Sequence, residues 1–145
     1  MIPKYRAWDK EFKEMVQVNA LIFDEQVIKA TYKNGNIVKE DVKNYELMQS
    51  TGLKDKNGQE IFEGDILEIQ GIKTIVRFGS YKYLETSKSN GHTLGILYDG
   101  LGFYVECINV NAPDNISPFE PETLKNGQII GNTWKNGYLL EADHD

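Results

Sequence analysis

Apolar and polar residues alternate along most of this chain, and turn-forming residues interrupt the alternation at short intervals. Val16, Val18, Ala20 and Ile22 occupy every second position until Asp24-Glu25-Gln26 breaks the run. Ile28, Ala30 and Tyr32 then alternate, and Asn34-Gly35 follows. A period of two puts successive side chains on opposite faces of a sheet, so each run predicts a strand with one buried face. Asn-Gly is the strongest short hairpin signal because both positions tolerate positive φ. It predicts a return strand over residues 36–39. Residues 39–45 are polar and suit either a short helical turn or a linker, which makes them a candidate internal boundary.

The middle of the chain is punctuated by Gly52, Gly58 and Gly64, with apolar residues between them. Asp55-Lys56-Asn57-Gly58 reads as a β-turn, since Asp favours the first position and Gly the last. Glu63-Gly64-Asp65 reads as a second tight corner. Gly52, Asn57, Gly58, Gly64 and Asp65 are therefore expected to be structural turn residues. Beyond them Leu67 and Ile69 share a strand face, and Gln70-Gly71 turns the chain. Ile72, Thr74, Val76 and Phe78 then alternate with Lys73, Ile75 and Arg77.

Residues 85–92 are expected to form a loop, followed by a strand bearing Leu94, Ile96 and Tyr98. Asp99-Gly100-Leu101-Gly102 is expected to turn that strand back into Phe103, Val105 and Cys107. Residues 111–121 hold three of the four prolines and are expected to be a surface loop. Asn126-Gly127 gives another hairpin signal before a last strand over residues 128–134. Strong helical periodicity appears nowhere. The expected fold is mainly β: an N-terminal β meander over 1–47 packed beside a small SH3-like barrel over 48–145, or both in one integrated domain. The barrel comparison is an analogy of fold and says little about function.

Three segments carry a family likeness. Met48-Gln49-Ser50-Thr51-Gly52-Leu53-Lys54-Asp55-Lys56-Asn57-Gly58-Gln59-Glu60-Ile61-Phe62-Glu63-Gly64-Asp65-Ile66 resembles the central signature of the YopX family of bacteriophage and prophage proteins. Tyr5-Arg6-Ala7-Trp8-Asp9 near the start agrees, as does Ile130-Gly131-Asn132-Thr133-Trp134 with Leu139-Leu140 near the end. The resemblance thus covers essentially the whole chain. It implies a phage origin, a mostly β fold and a cytoplasmic setting, and it implies no activity and no catalytic or binding residues. Trp8 and Trp134, in the matching head and tail, are expected to be core anchors.

Composition adds bounds. At 145 residues the chain fits one domain or two small β subdomains, and a chain of this size buries about 68–70% of its unfolded surface without a metal or disulfide. Cys107 is the single cysteine, which excludes an internal disulfide and suits a reducing cytoplasm. No apolar run approaches the ~20 residues of a membrane-spanning helix, and the start lacks a signal-peptide pattern. The expectation is a cytoplasmic protein with no membrane partner.

Candidate chemistry is sparse. With two histidines and one cysteine, a zinc site would need carboxylates to supply most ligands, and the sequence offers no suitable cluster. The 55–58 turn lacks the glycine spacing and closing Glu of a calcium loop. No nucleophile elbow, phosphate loop or dinucleotide fingerprint is present. Glu63 and Asp65 could share a strand face as a carboxylate pair, although corner acids more often bind nearby backbone N–H groups. No catalytic residue, metal ligand or cofactor is assigned, and the chain is expected not to be an enzyme.

The net charge of −6 opposes indiscriminate nucleic-acid binding, but residues 71–92 hold four cations against one acid, a net of +3. There Lys73, Arg77, Tyr81, Lys82 and Tyr83 form the candidate binding set. Cations interleaved with aromatics suit a strand that tracks phosphates while bases stack on tyrosine. Solvated lysines that protect a sheet edge explain the same pattern, with Tyr81 and Tyr83 closing the barrel. The leading expectation is a non-enzymatic module that binds a protein partner or itself as a homo-oligomer; a nucleic-acid-binding accessory protein is the alternative.

Overall fold

A computed structural model of the chain describes residues 2–108 and 116–140. It is mainly β. The first sheet contains β1 (Tyr5–Asp9), β2 (Glu14–Ile22), β3 (Val27–Thr31), β4 (Ile37–Asp41), β5 (Tyr45–Lys54) and β6 (Glu60–Phe62), in the order β4-β3-β2-β1-β5-β6. The second contains β7 (Asp65–Ile69), β8 (Ile72–Ser89), β9 (His92–Cys107), β10 (Ile116–Pro118) and β11 (Gln128–Asn132), in the order β10-β9-β8-β7-β11. All strand pairs are antiparallel. One helical turn, α1 (Pro121–Leu124), and two short 3-10 turns at 42–44 and 137–140 complete the described chain.

The first core gathers Ala7, Val16, Ile28, Ala30 and Tyr45, with Val18 and Leu21 packed against it. The even alternation expected through Ala20 and Ile22 does not persist. Val18 pairs with Ala30 but Ala20 pairs with Lys29, so one extra residue bulges between them. A bulge shifts the strand's side-chain parity by one, and Leu21 opposite Ile28 takes the inward place. The Asn34-Gly35 turn forms as expected, and β4 returns along β3. The polar stretch after it makes the 3-10 turn, capped by Asp41 through the Lys43 N–H at 2.9 Å.

The boundary drawn between residues 47 and 48 falls inside β5, which pairs with β1 through Tyr45–Gln49 and with β6 through Ser50 and Lys54. The second core holds Leu67, Val76, Val105 and Leu124 together with Ile61, which comes from β6 of the first sheet. The expected barrel is not closed. Its sheet ends in two short edge strands, β10 and β11, on opposite sides, and α1 covers the core between them with Leu124.

Five local expectations are corrected. Residues 85–92 are not a loop: β8 and β9 continue to a two-residue tip at Asn90 (φ 53°) and Gly91 (φ 77°). Two consecutive positive φ values are what a tight hairpin turn requires. Nor does Asp99–Gly102 reverse the chain, because register runs unbroken from Thr74 opposite Cys107 to Ser89 opposite His92. Asn126-Gly127 follows α1 instead of joining two strands, with the Gly127 N–H donating to the Leu124 carbonyl at 3.0 Å. Trp8 is buried as expected, but Trp134 is 43% exposed and anchors no core. Of the proline-rich stretch 111–121, residues 111–115 lie outside the described residues, and 116–118 form β10.

Three buried aspartates fix the turns. Asp9 accepts from the Glu11 and Phe12 N–H groups and from the Tyr32 hydroxyl, and Tyr32 in turn bonds Tyr45 at 2.7 Å. Burial, then the Asp9 hydrogen bond, push the Tyr32 hydroxyl far above its ordinary pKa. Asp55 accepts from the N–H groups of Asn57 and Gln59 at 2.9 Å and of Ile129, on β11, at 3.0 Å. Burial alone would raise its pKa, but those three donors outweigh it and hold the carboxyl below the usual range. Gly52, Gly58 and Gly64 all take positive φ, as the turn reading requires.

Asp65 joins the two sheets. It opens β7, is 1% exposed, and accepts from Arg6 on β1 at 2.7 Å and from the Phe62 N–H at 2.8 Å. The Arg6 guanidinium also donates to the Glu63 carbonyl at 3.3 Å and lies 4.8 Å over the Phe62 ring. Burial raises the Asp65 pKa, and Arg6 with the Phe62 N–H offsets that only in part.

The sign of the pH dependence follows. A carboxyl whose folded pKa is raised stabilises fully below its unfolded value of ~3.9 and loses that contribution as pH climbs through the folded value. Arg6→Met removes the cation that limits the loss and leaves a buried charge. It is expected to cost about 3–5 kcal/mol near about pH 8 and clearly less near about pH 5, as read from urea midpoints. Equal costs at both pH values would show that Asp65 ionisation is not the cause.

Gly64 provides a second test. At φ +88°, a Cβ there would also press on Met48 Sδ at 3.1 Å and Thr133 Oγ1 at 3.4 Å, whereas one at Gly58 meets nothing. Gly64→Val is expected to lose about 1–3 kcal/mol from backbone strain plus a packing cost, and more than Gly58→Val. Urea melts of the two variants check the ranking.

Candidate functional site

The distal halves of β8 and β9 leave the body of the protein. Strand β7 pairs with β8 only as far as Ile75, and β10 pairs with β9 only from Tyr104 onward. Among the described residues, 80–89 and 92–101 therefore pair only with each other, as a two-stranded arm. Ten residues per strand at ~3.4 Å each give it a length of ~34 Å.

Paired residues in a ladder share a face, so register assigns the arm's two surfaces. One carries Tyr81 opposite Gly100, Tyr83 opposite Tyr98, Glu85 opposite Ile96, and Ser87 opposite Leu94. The other carries Ser80 opposite Leu101, Lys82 opposite Asp99, and Leu84 opposite Leu97. Residues 91–99 are all exposed. Leu94 is 59% exposed, Ile96 and Leu97 54%, and Leu101 80%. Apolar side chains thus populate both faces of a ribbon that has no core of its own.

A tyrosine ladder stiffens the first face. Tyr104 and Tyr81 lie 4.7 Å apart by ring centroids, Tyr81 and Tyr83 5.9 Å, and Tyr83 and Tyr98 stack at 5.2 Å. Gly100 makes room for it, since a Cβ there would overlap the Tyr81 ring. Covering a strand glycine with an aromatic ring across the ladder compensates for the side chain that glycine lacks.

The five residues singled out in the sequence lie along this hairpin but do not form one surface. Lys73, Arg77, Tyr81 and Tyr83 share a face, while Lys82 is on the other. Each cation has an acid at hand. Lys73 stands opposite Glu68 in the β7 register, Arg77 is ion-paired with Glu106, and Lys82 lies 3.9 Å from Asp99. The sequence reading missed Leu97 and Leu101 as exposed residues. The signal was Asn90-Gly91, a hairpin pair inside a polar run, which extends both strands.

Concavities also lie elsewhere among the described residues. A groove of about 670 Å³ on the first sheet is floored by Val18, Ala20, Leu21 and Phe62, with the Lys4–Glu60 ion pair (3.4 Å) at its rim. A cleft of about 220 Å³ between the sheets is lined by Met48, Glu63, Arg77 and Trp134. Burial raises the Glu63 pKa, with the Gln49 N–H and two arginines opposing it. Glu63 and Asp65 do not offer a shared open carboxylate face, because Asp65 is enclosed and committed to Arg6.

Two antiparallel sheets tied through one buried ion pair, with a hairpin arm standing off the second, define an all-β protein of two-sheet architecture. The chain belongs to the YopX family, whose model, described as YopX protein, matches residues 4–141. It is similar to the crystal structure of protein EF1440 from Enterococcus faecalis, at 26% identity and a TM-score of 0.54, with 97% of this chain and 99% of that one covered. No curated protein matches it. Among the described residues, no helix is long and apolar enough to cross a membrane.

The ladder gives a test of arm geometry. Gly100→Ala is expected to push the Tyr81 ring aside and change the near-ultraviolet circular dichroism of the tyrosines, with a stability loss below ~1 kcal/mol because the ring can yield. The spectral change should vanish when Tyr81→Ala is already present. An unchanged spectrum for Gly100→Ala would show that the ring does not lie over Gly100.

Proposed function

We propose that the chain is a non-enzymatic binding module of phage origin, acting in the bacterial cytoplasm, which engages a protein through the β8–β9 arm. One observation carries this reading: a ribbon about ten residues long projects with Leu94, Ile96, Leu97 and Leu101 each more than half exposed. Contiguous exposed apolar surface marks interaction sites, and an isolated two-stranded hairpin is only marginally stable in water. A partner that covers the arm removes both costs. Family membership supports the phage setting.

The nucleic-acid alternative draws on the tyrosine ladder, whose rings offer stacking surfaces. Charge weighs against it. Over residues 80–101, Lys82 and Lys88 are balanced by Glu85 and Asp99, so the arm adds no attraction for phosphate within a chain of net charge −6.

Titrating fluorescent single-stranded DNA and RNA against the full chain separates the two. No binding at physiological salt is expected, and Tyr81→Ala and Tyr83→Ala should alter only stability or protein capture. A micromolar complex that weakens as salt rises, and that either tyrosine variant weakens by ~1–3 kcal/mol, would replace this reading with the alternative.

A further inference from the structure

We infer that the occupant of the arm is a second copy of this chain, paired antiparallel through the free outer edges of the two β9 strands about a two-fold axis near Leu97. The inference rests on the binding reading above and names its partner.

The two edges of the arm are unlike. The β8 edge carries Lys82, Glu85 and Lys88, and charged side chains of this kind, lysine above all, blunt an edge against pairing. The β9 edge, from His92 to the start of β10 pairing at Tyr104, contains no lysine, arginine or proline, and Asp99 is its only charge at neutral pH. Among the described residues, no strand pairs with that edge before Tyr104.

That edge also complements itself, which is the requirement of an isologous two-fold contact. Leu97 is the midpoint of residues 92–102. With the axis there, Ile96 faces the second copy's Tyr98, and Asp99 faces the second copy's Gly95. Apolar residues meet and the two Asp99 carboxylates stay apart. The balanced charge of the arm lets two copies approach although each chain is strongly acidic.

Leu94, Ile96, Leu97, Tyr98 and Leu101 lie on both faces of the ribbon. An edge contact therefore covers their flanks and the main chain between them. That contact is smaller than the ~800 Å² per partner of a standard interface and suits pairing in the micromolar range.

The full chain is tested by sedimentation over the micromolar range. Twice the monomer mass of 16.6 kDa is expected. Leu97→Lys, which sets two ammonium groups against each other at the axis, should weaken the dimer at least tenfold, while Leu84→Lys on the far strand should not. Far-ultraviolet circular dichroism confirms that both variants fold. In a Cys107→Ser background, Leu97→Cys should form an intermolecular disulfide on mild oxidation, and Leu84→Cys should not, lying three strand spacings or ~14 Å from its counterpart.

A monomer mass throughout, or a dimer that Leu97→Lys leaves intact, would overturn the inference. If the chain is monomeric and Leu97→Lys abolishes capture of another protein, the arm serves a different partner and the binding reading survives. If Leu97→Lys changes neither mass nor capture, both fall.

Discussion

Arg6 and Asp65 lie 59 positions apart in the chain and 2.7 Å apart in space, and the rest of the body is arranged around that contact. An ionised carboxylate taken out of water pays several kcal/mol unless a cation and further donors replace its hydration. Arg6 supplies the charge and the Phe62 N–H a second donor. Because Arg6 sits on β1 and Asp65 on β7, neither sheet can shift against the other without exposing or orphaning a buried charge. Arg6 is itself held by the Glu63 carbonyl and the Phe62 ring, both next to the corner that Gly64 allows. The ion pair, the corner and the crossing from the first sheet to the second are therefore one arrangement.

Asp9 and Asp55 repeat the device with different donors. Asp9 closes the β1–β2 turn and anchors the two tyrosine hydroxyls that lead to Glu40. Asp55 closes the β5–β6 turn and reaches β11 through the Ile129 N–H. In each case a short acidic side chain satisfies backbone donors that an irregular segment would otherwise bury unpaired. This is how a chain with little helix and many corners keeps its turns inside the fold. It also accounts for carboxylates that resemble catalytic candidates in the sequence and serve as local scaffolding in the structure.

Legibility followed the range of the forces involved. The 34–35 hairpin, the glycine turns at 52, 58 and 64 and the β class could be read because they depend on neighbours in sequence and on a period of two. The bulge at residues 18–20 could not, since nothing local says that Leu21 instead of Ala20 will meet Ile28. Asp99–Gly102 misled because Asp-Gly is a turn signal only where strand pairing ends, and here Tyr81 covers Gly100 and the ladder continues. Asn90-Gly91 was present and informative but stood in a run of polar residues that reads as loop. Of the candidate site, the sequence picked out residues on this hairpin but not how strand register surrounds them. Its cations are matched by acids from the facing strands, a pairing fixed only by register.

The proposed function accounts for apolar residues in the arm that neither core uses. None of Leu84, Leu94, Ile96, Leu97 or Leu101 belongs to either core cluster, so the body folds around its two centres without them. At the root of the arm Gly79 faces Gly102, and no neighbour lies within reach of a Cβ at either. On the opposite face there the Phe78–Phe103 edge contact, at 4.9 Å, is the link to the second core. A two-stranded segment gains little stability from its own fold and keeps apolar side chains in water. Full exposure of a Leu or Ile costs roughly 1.5–3 kcal/mol relative to burial, and Leu94, Ile96 and Leu97 are a little over half exposed. Under the proposed function, a surface that covers the ribbon would recover those costs. Strand pairing in the body fixes where the arm begins, and under the proposed function contact with a partner would bury the arm's apolar side chains.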